Sequence, residues 1–184
     1  MGFFDLFRRK KDFFSSSDTN YILIRRERRM LSKVLEQNYK RLKTRVLPRI
    51  SQFKSLLTKE IEKYQSEIWK SNLEKIKALD RPLEQTIWRI KVAEGLKTKG
   101  EIISELDSIV KELDNLWSQY RNIYFQYEPG MKTIDKNIPF DIAFRIDNEF
   151  DKIPNWIWKS KESLNNFLKV ARGEYGLLDR IFTW

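Results

Sequence analysis

The feature that most constrains this chain is a long run of apolar residues at helical spacing between residues 49 and 79. Its members recur at short intervals that fit one helix side: Ile50, Phe53, Leu57, Ile61, Tyr64, Ile68, Ile76 and Leu79. Spacings near 3.5 residues over such a length indicate packing against another helix. No segment shows the period-two alternation of a half-buried strand. The sequence therefore predicts an all-α fold, an elongated bundle with a long helical hairpin and shorter packed helices.

The predicted hairpin joins this helix to an earlier one, from about residue 20 to residue 47. The apolar side of the earlier helix consists of Ile24, Leu31, Val34, Leu35, Leu42 and Val46. The residue before a proline avoids the α region, and proline suits the first turn of a helix. Leu47-Pro48 is therefore predicted to be the corner of the hairpin, with a kinked continuous helix as the alternative.

Prolines and glycines divide the rest of the chain. Asp80-Arg81-Pro82 is predicted to end the second helix and to start another, which continues with a weak point at Thr98-Lys99-Gly100 to about residue 126. A short helix is expected at about 140–152, ending before Ile153-Pro154, and a last helix at about 157–171. The expected domains are an N-terminal segment with a Ser-rich linker, a helical core, and a C-terminal helix with a tail, at 1–19, 20–153 and 154–184.

Positive charge is concentrated at the front of the chain. Residues 1–50 carry a net charge of +9, residues 51–100 carry +4 and residues 101–184 carry −3, which together give +10. This asymmetry predicts an acidic partner surface for the front. It also leads us to expect that the acidic helices of 101–153 cover the basic front, or pair with the front of a neighbouring copy.

The composition excludes much of enzyme chemistry. The chain has no Cys and no His, so it lacks thiol nucleophiles, Cys/His zinc sites and the commonest general base. Its glycines form neither nucleotide-binding fingerprint. We therefore expect no catalytic residue, no metal and no cofactor. Four indole rings are expected to serve packing instead of forming a ligand-binding box: Trp88, Trp117, Trp156 and Trp158.

Two cationic elements are the candidate binding residues. The first is a block with large apolar side chains beside consecutive cations: Phe3, Phe4, Leu6, Phe7, Arg8, Arg9, Lys10 and Lys11. A short helix of this kind can lie in a bilayer interface, and docking on the protein's own core is the alternative. The second is a stripe along the first helix that can bind the phosphates of lipid or nucleic acid: Arg26, Arg29, Lys33, Lys40 and Lys43.

This order of features resembles the ESCRT-III family, in particular its archaeal CdvB-type cell-division members. The family plan has an amphipathic N-terminus, a basic first helix, a hairpin into a longer helix, shorter helices and an acidic tail. The stretch Leu83-Glu84-Gln85-Thr86-Ile87-Trp88-Arg89-Ile90 is similar to a family segment in which a Leu-Glu-Gln run leads to an arginine. Ile138-Pro139, followed by Ile142, Arg145 and Ile146, is similar to the family's proline-led short helix.

The end of the chain extends the resemblance. Family tails carry a helical motif that the MIT domain of a Vps4-type ATPase binds, and the matching residues here are Glu174, Leu177, Arg180, Ile181 and Trp184. The apolar members fall on one side of a helix, which suits binding in a groove. The tail is only mildly acidic, and Trp184 stands where the family has leucine.

The resemblance implies a subunit that polymerises on acidic membranes and remodels or constricts them in cell division or budding. It implies a cytoplasmic protein, peripheral on the inner face of the membrane, with further copies of itself and the ATPase as partners. A second interpretation comes from the charge: a helical protein that packages nucleic acid, such as the coat protein of an archaeal filamentous virus, located in the virion.

Overall fold

Four helical rods make up the fold in the computed structural model, which describes residues 18–128 and 132–174. The first rod consists of α1 (Arg25–Arg41), a π-helical turn (Leu42–Val46) and α2 (Leu47–Tyr64). The other rods are α3 (Glu67–Val92), α4 (Lys99–Arg121) and α5 (Phe140–Arg172), with a 3-10 turn (Ala93–Gly95) after α3. Two short strands, β1 (Tyr127–Glu128) and β2 (Lys132–Thr133), pair antiparallel before α5.

The first rod runs antiparallel to α3. At one end, the Arg28 guanidinium donates to the carbonyls of Leu96 and Lys97, at 3.0 and 3.1 Å. Farther along, Lys54 pairs with Asp80. Residue numbers therefore rise along one rod while they fall along the other, as in any antiparallel pair.

The remaining rods follow the same antiparallel rule. Arg172 near the end of α5 pairs with Asp107 near the start of α4, at 2.9 Å. On the other side of α5, the Asn38 amide of α1 donates to the Ser163 hydroxyl at 2.9 Å. The first rod packs on α3 and α5, and α4 packs on the same two helices. The protein is thus an up-down-up-down helical bundle, which confirms the predicted all-α class.

The corner of the predicted hairpin was placed wrongly. The chain continues as helix through Leu47-Pro48, as the continuous-helix alternative predicted, and the wider π-helical turn before Pro48 accommodates a residue without an N–H. The corner lies at Gln65-Ser66, where Gln65 has a left-handed φ of 53°. The Ser66 side chain then caps α3 by accepting from the Trp69 N–H at 3.3 Å.

Two further predicted breaks are absent. Pro82 lies inside α3, on its exposed side together with Ala78, whose freed carbonyl can therefore bond to water. Pro154 lies inside α5, so the two predicted helices 140–152 and 157–171 are one. The expected domain boundary between residues 153 and 154 falls within this helix, and the last helix belongs to the bundle.

One core joins all four rods, and its membership differs from the prediction in part. The apolar side of α1 is buried at Leu31 and Leu35, but Ile24 is 55% exposed and Leu23 takes the interior place. Ile68 is 38% exposed because the corner at Gln65 resets the helical phase, so Trp69 is buried instead. Residues beside a turn are therefore the ones that periodicity misplaced.

Candidate surface-binding site

The basic stripe lies along α1 and ends in the π-helical turn, which contains Lys43. All five of its members are exposed: Arg26, Arg29, Lys33, Lys40 and Lys43. A helix advances about 100° per residue, which puts the first four opposite the buried Leu31 and Leu35. The core of the bundle thus fixes the stripe as a solvent-facing surface.

The stripe carries more charge than its neighbours on the same helix neutralise. From residue 25 to residue 45 there are nine Lys/Arg and two Asp/Glu. Of the two acids, Glu27 is buried and its carboxylate accepts from the Ile24 N–H at 2.9 Å, so it serves as a helix cap. The other, Glu36, pairs with Lys40 at 2.6 Å. Arg29 and Lys33 have no carboxylate partner among the described residues.

Within the described residues, α4 does not cover the stripe, so the first of the two expected arrangements is wrong, and pairing with a neighbouring copy stays a prediction. Glu105 and Glu112 of α4 both pair with Arg89 of α3. Asp107 and Asp114 of α4 pair with α5, through Arg172 and Lys161. Because α4 packs on α3 and α5, its carboxylates reach the cations of those helices first. The α4 carboxylates therefore do not mask the basic stripe, although Arg49, at the end of the basic front, lies 4.0 Å from Glu149 of α5.

The two terminal elements lie outside the described residues. These are the N-terminal block with Phe3, Phe4, Leu6, Phe7 and Arg8–Lys11, and the tail motif from Leu177 to Trp184. Of the tail motif, Glu174 is described: it is exposed, and its N–H donates to the Lys169 carbonyl at 3.0 Å just after α5.

The two ends of the described chain lie at the same end of the bundle. The N–H of Gly100, at the start of α4, donates to the Thr19 carbonyl at 2.8 Å. Arg172, the last residue of α5, pairs with Asp107 only two turns farther along α4. The first and the last described residues, Asp18 and Glu174, therefore lie at the end of the bundle where the basic stripe starts.

The indole rings differ in how deeply they are buried. Trp88 is 65% exposed and Trp158 is 43% exposed, while Trp117 and Trp156 are half-buried. Among the described tryptophans, the fully buried one is Trp69, whose ring N–H donates to the Phe125 carbonyl at 3.2 Å. Trp88 and Trp158 therefore contribute little to the core.

A second group of cations, which the sequence did not point to, surrounds Trp156. The Arg45 guanidinium lies 4.7 Å from the centre of this ring, and the Lys159 ammonium lies 4.5 Å from it. Arg41 donates to the Lys159 carbonyl at 3.1 Å. Arg41 and Arg45 share a helical side in the sequence, but their proximity to α5 is a tertiary contact that periodicity cannot reveal.

The described residues offer little to other kinds of site. Across residues 18–128 and 132–174, no group of three Asp or Glu side chains is arranged to hold a metal ion. No described helix is long and apolar enough to cross a membrane. A groove of about 450 Å³ lies between α3 and α4, but Arg89 and Glu112, two of its lining residues, already pair with each other.

Comparisons of the chain with protein-family models, with curated proteins and with solved structures gave no match. The resemblance to the ESCRT-III family therefore stays a prediction, as does the expectation that the protein is not an enzyme.

Proposed function

We propose that this protein binds acidic membranes peripherally through the outer side of α1 and assembles there as an ESCRT-III-like membrane-remodelling subunit. The observation that carries the membrane-binding part is that all five stripe residues are exposed and that the four on α1 face away from the core. A stripe that packed against the bundle could not meet another surface.

The geometry of the stripe suits a flat acidic surface. Its first four members share one side of a straight helix, and 14 residues of helix from Arg26 to Lys40 span about 21 Å. Each Lys or Arg near an acidic bilayer contributes about 1 kcal/mol of attraction. Four such residues contribute about 4 kcal/mol, which gives weak binding that a second element strengthens. The N-terminal block, which precedes the described residues in the chain, is the proposed second element.

The nucleic-acid interpretation has weaker support from the same surface. Proteins that hold single strands combine a basic groove with aromatic rings on which bases stack. The outer side of α1 is convex, and its Tyr39 ring lies between Lys43 and Lys91, at 5.2 and 5.9 Å, on the side towards α3. Stacking on an open ring is therefore not available along the stripe.

A charge-variant experiment tests the proposal. The triple variant R29Q/K33Q/K40Q removes three stripe charges, and K59Q/R81Q/K136Q removes three exposed cations elsewhere. We expect the stripe variant to bind phosphatidylserine vesicles about 100-fold more weakly in co-sedimentation, since three charges correspond to about 3 kcal/mol. The affinity of the control variant for the same vesicles should fall less than threefold.

Two results would contradict the membrane proposal. One is equal vesicle binding by the stripe variant and the control variant. The other is duplex DNA binding at physiological salt that is tighter than vesicle binding and falls steeply with added salt. A version lacking residues 1–14 is included, because loss of its vesicle binding assigns the second element to the N-terminal block.

The assembly part of the proposal rests on the family resemblance. Electron microscopy of the protein on vesicles tests it, with ordered filaments as the expected result. Dispersed monomers at saturating coverage would refute polymerisation but leave peripheral binding intact. Recruitment of a Vps4-type ATPase through the tail is tested by binding of its MIT domain to full-length chain and to L177A/I181A, with loss of binding expected for the variant.

A further inference from the structure

A cluster of three cations lies at the seam between the first rod and α5, beside the basic stripe but separate from it. Arg41 ends α1, Arg45 lies in the π-helical turn, and Lys159 comes from α5. Arg45 and Lys159 lie 4.7 and 4.5 Å from the centre of the same Trp156 ring. The distance between the Arg45 and Lys159 charges therefore cannot exceed the sum of their two distances to the ring centre. Arg41 joins them through its bond to the Lys159 carbonyl at 3.1 Å.

The cluster brings together cations from two rods without a counter-charge among the described residues. No carboxylate of the described residues lies within ion-pair distance of any of the three cations, whereas Lys161 and Arg172 of the same helix α5 each have an aspartate at 2.9 Å. Partial burial and the neighbouring Arg45 lower the pKa of Arg41. The fold therefore holds like charges together where an anion would relieve their repulsion.

The surroundings fix the positions of these cations. The Arg41 guanidinium also donates to the Asn38 side-chain oxygen at 3.1 Å, and the Asn38 amide is held by Ser163. The π-helical turn inserts one extra residue before α2 and sets where Arg45 leaves the rod; such turns are frequent at functional sites. The Trp156 ring limits the motion of Arg45 and Lys159, which reduces the entropy lost on binding.

We propose that this cluster binds a phosphomonoester group, carried either by a soluble compound or by a lipid headgroup. Guanidinium groups match phosphate oxygens with two parallel hydrogen bonds. A phosphomonoester carries nearly two negative charges at neutral pH, so it neutralises a three-cation cluster better than the single charge of a phosphodiester. The lipid-borne form of the ligand rests on the proposed membrane function, and the soluble form does not.

The test uses the full chain with inositol 1,4,5-trisphosphate as the soluble probe. The variant R45Q/K159Q removes two cations of the cluster, and K59Q/K136Q removes two exposed cations elsewhere. Calorimetry should give an affinity at least tenfold lower for R45Q/K159Q than for the wild type, and an unchanged affinity for the control. Circular dichroism checks that the variants keep the helical fold. R45K keeps the charge but loses the paired donors, so its affinity for the probe should lie between that of the wild type and that of R45Q/K159Q.

A second experiment, which measures binding to vesicles, distinguishes a lipid-borne phosphate from a soluble one. If the ligand is lipid-borne, R45Q/K159Q loses the preference of the wild type for phosphatidylinositol 4,5-bisphosphate over phosphatidylserine at equal surface charge. If it is soluble only, the wild type binds the probe and shows no such preference. Either result supports the site.

Three results would overturn the site: no probe binding by the wild type, equal probe affinity for R45Q/K159Q and K59Q/K136Q, or displacement of the probe by a DNA oligonucleotide at matched phosphate concentration. Failure of the proposed membrane function looks different, because vesicles then fail to bind the wild type while probe binding persists.

Discussion

Tyr120, on α4, has a fully buried ring whose hydroxyl has no hydrogen-bond partner in the described part of the chain. The ring packs against Phe150 of α5, with ring centres 6.0 Å apart. A buried hydroxyl without a partner costs about 1–3 kcal/mol of desolvation. Replacing Tyr120 with Phe removes that hydroxyl and keeps the ring contact, so Y120F should be more stable than the wild type.

The expected gain at pH 7 is about 1 kcal/mol, the lower end of that range, because the substitution also leaves a small void where the oxygen was. For a domain of this size, that corresponds to a rise in Tm of about 2–4 °C. Urea unfolding, monitored by circular dichroism, measures the change in the free energy of unfolding. Y39F serves as the control, since the Tyr39 hydroxyl accepts from Lys43 at 2.8 Å on the surface, and it should change stability by less than about 0.5 kcal/mol.

The pH dependence gives an independent check. Burial, with a smaller contribution from Asp80, raises the pKa of Tyr120 in the folded protein. Above pH ~10 the unfolded chain ionises this tyrosine while the folded chain does not. The free energy of unfolding should therefore fall by about 1.4 kcal/mol per pH unit from this group alone, and Y120F should lack that contribution. The stability difference between Y120F and wild type should grow above pH 10. A variant that is less stable than wild type at pH 7, with no growing difference at high pH, would refute the reasoning.

The other predictions concern the corner, the seam and the N-terminal contact. Q65G should stabilise the fold by about 1 kcal/mol in urea unfolding, because glycine adopts the positive φ of 53° without strain; a loss of stability would argue against this corner. N38L should destabilise it by about 1–3 kcal/mol, because Ser163 and Arg41 lose a buried partner, and wild-type stability would contradict the buried bond. G100A should speed amide hydrogen exchange at residues 99 and 100, because its added Cβ would lie 2.9 Å from the Thr19 carbonyl oxygen; unchanged protection would show that this contact does not form.

Periodicity determined the composition of most of the core. The stripe from Ile50 to Ile61 is buried as predicted, and so are Leu31 and Leu35. These positions were readable because a helix that buries one side must repeat apolar residues every three or four positions. The same rule placed the basic stripe of α1 on the exposed side, since its members fall between the apolar ones.

Local sequence signals, above all the prolines, predicted helix ends at the wrong places. Pro48, Pro82 and Pro154 were all taken as boundaries, yet each lies within a continuous rod. A proline inside a helix costs about 3 kcal/mol, and burial of apolar side chains along a long rod contributes more than that. The actual corner has no proline or glycine: Gln65 adopts a left-handed conformation there, and the local signal that marks it is Ser66, which caps the next helix.

By itself, the sequence determined that the chain is helical, that its front is cationic, and which side of α1 faces solvent, because these follow from spacing and charge within single segments. Only the tertiary structure decided which helices lie side by side. That arrangement directs the α4 carboxylates to Arg89, Lys161 and Arg172 instead of the basic stripe. It also gathers Arg41, Arg45 and Lys159 around one indole. Both outcomes depend on contacts between residues far apart in the chain, which short-range patterns do not encode.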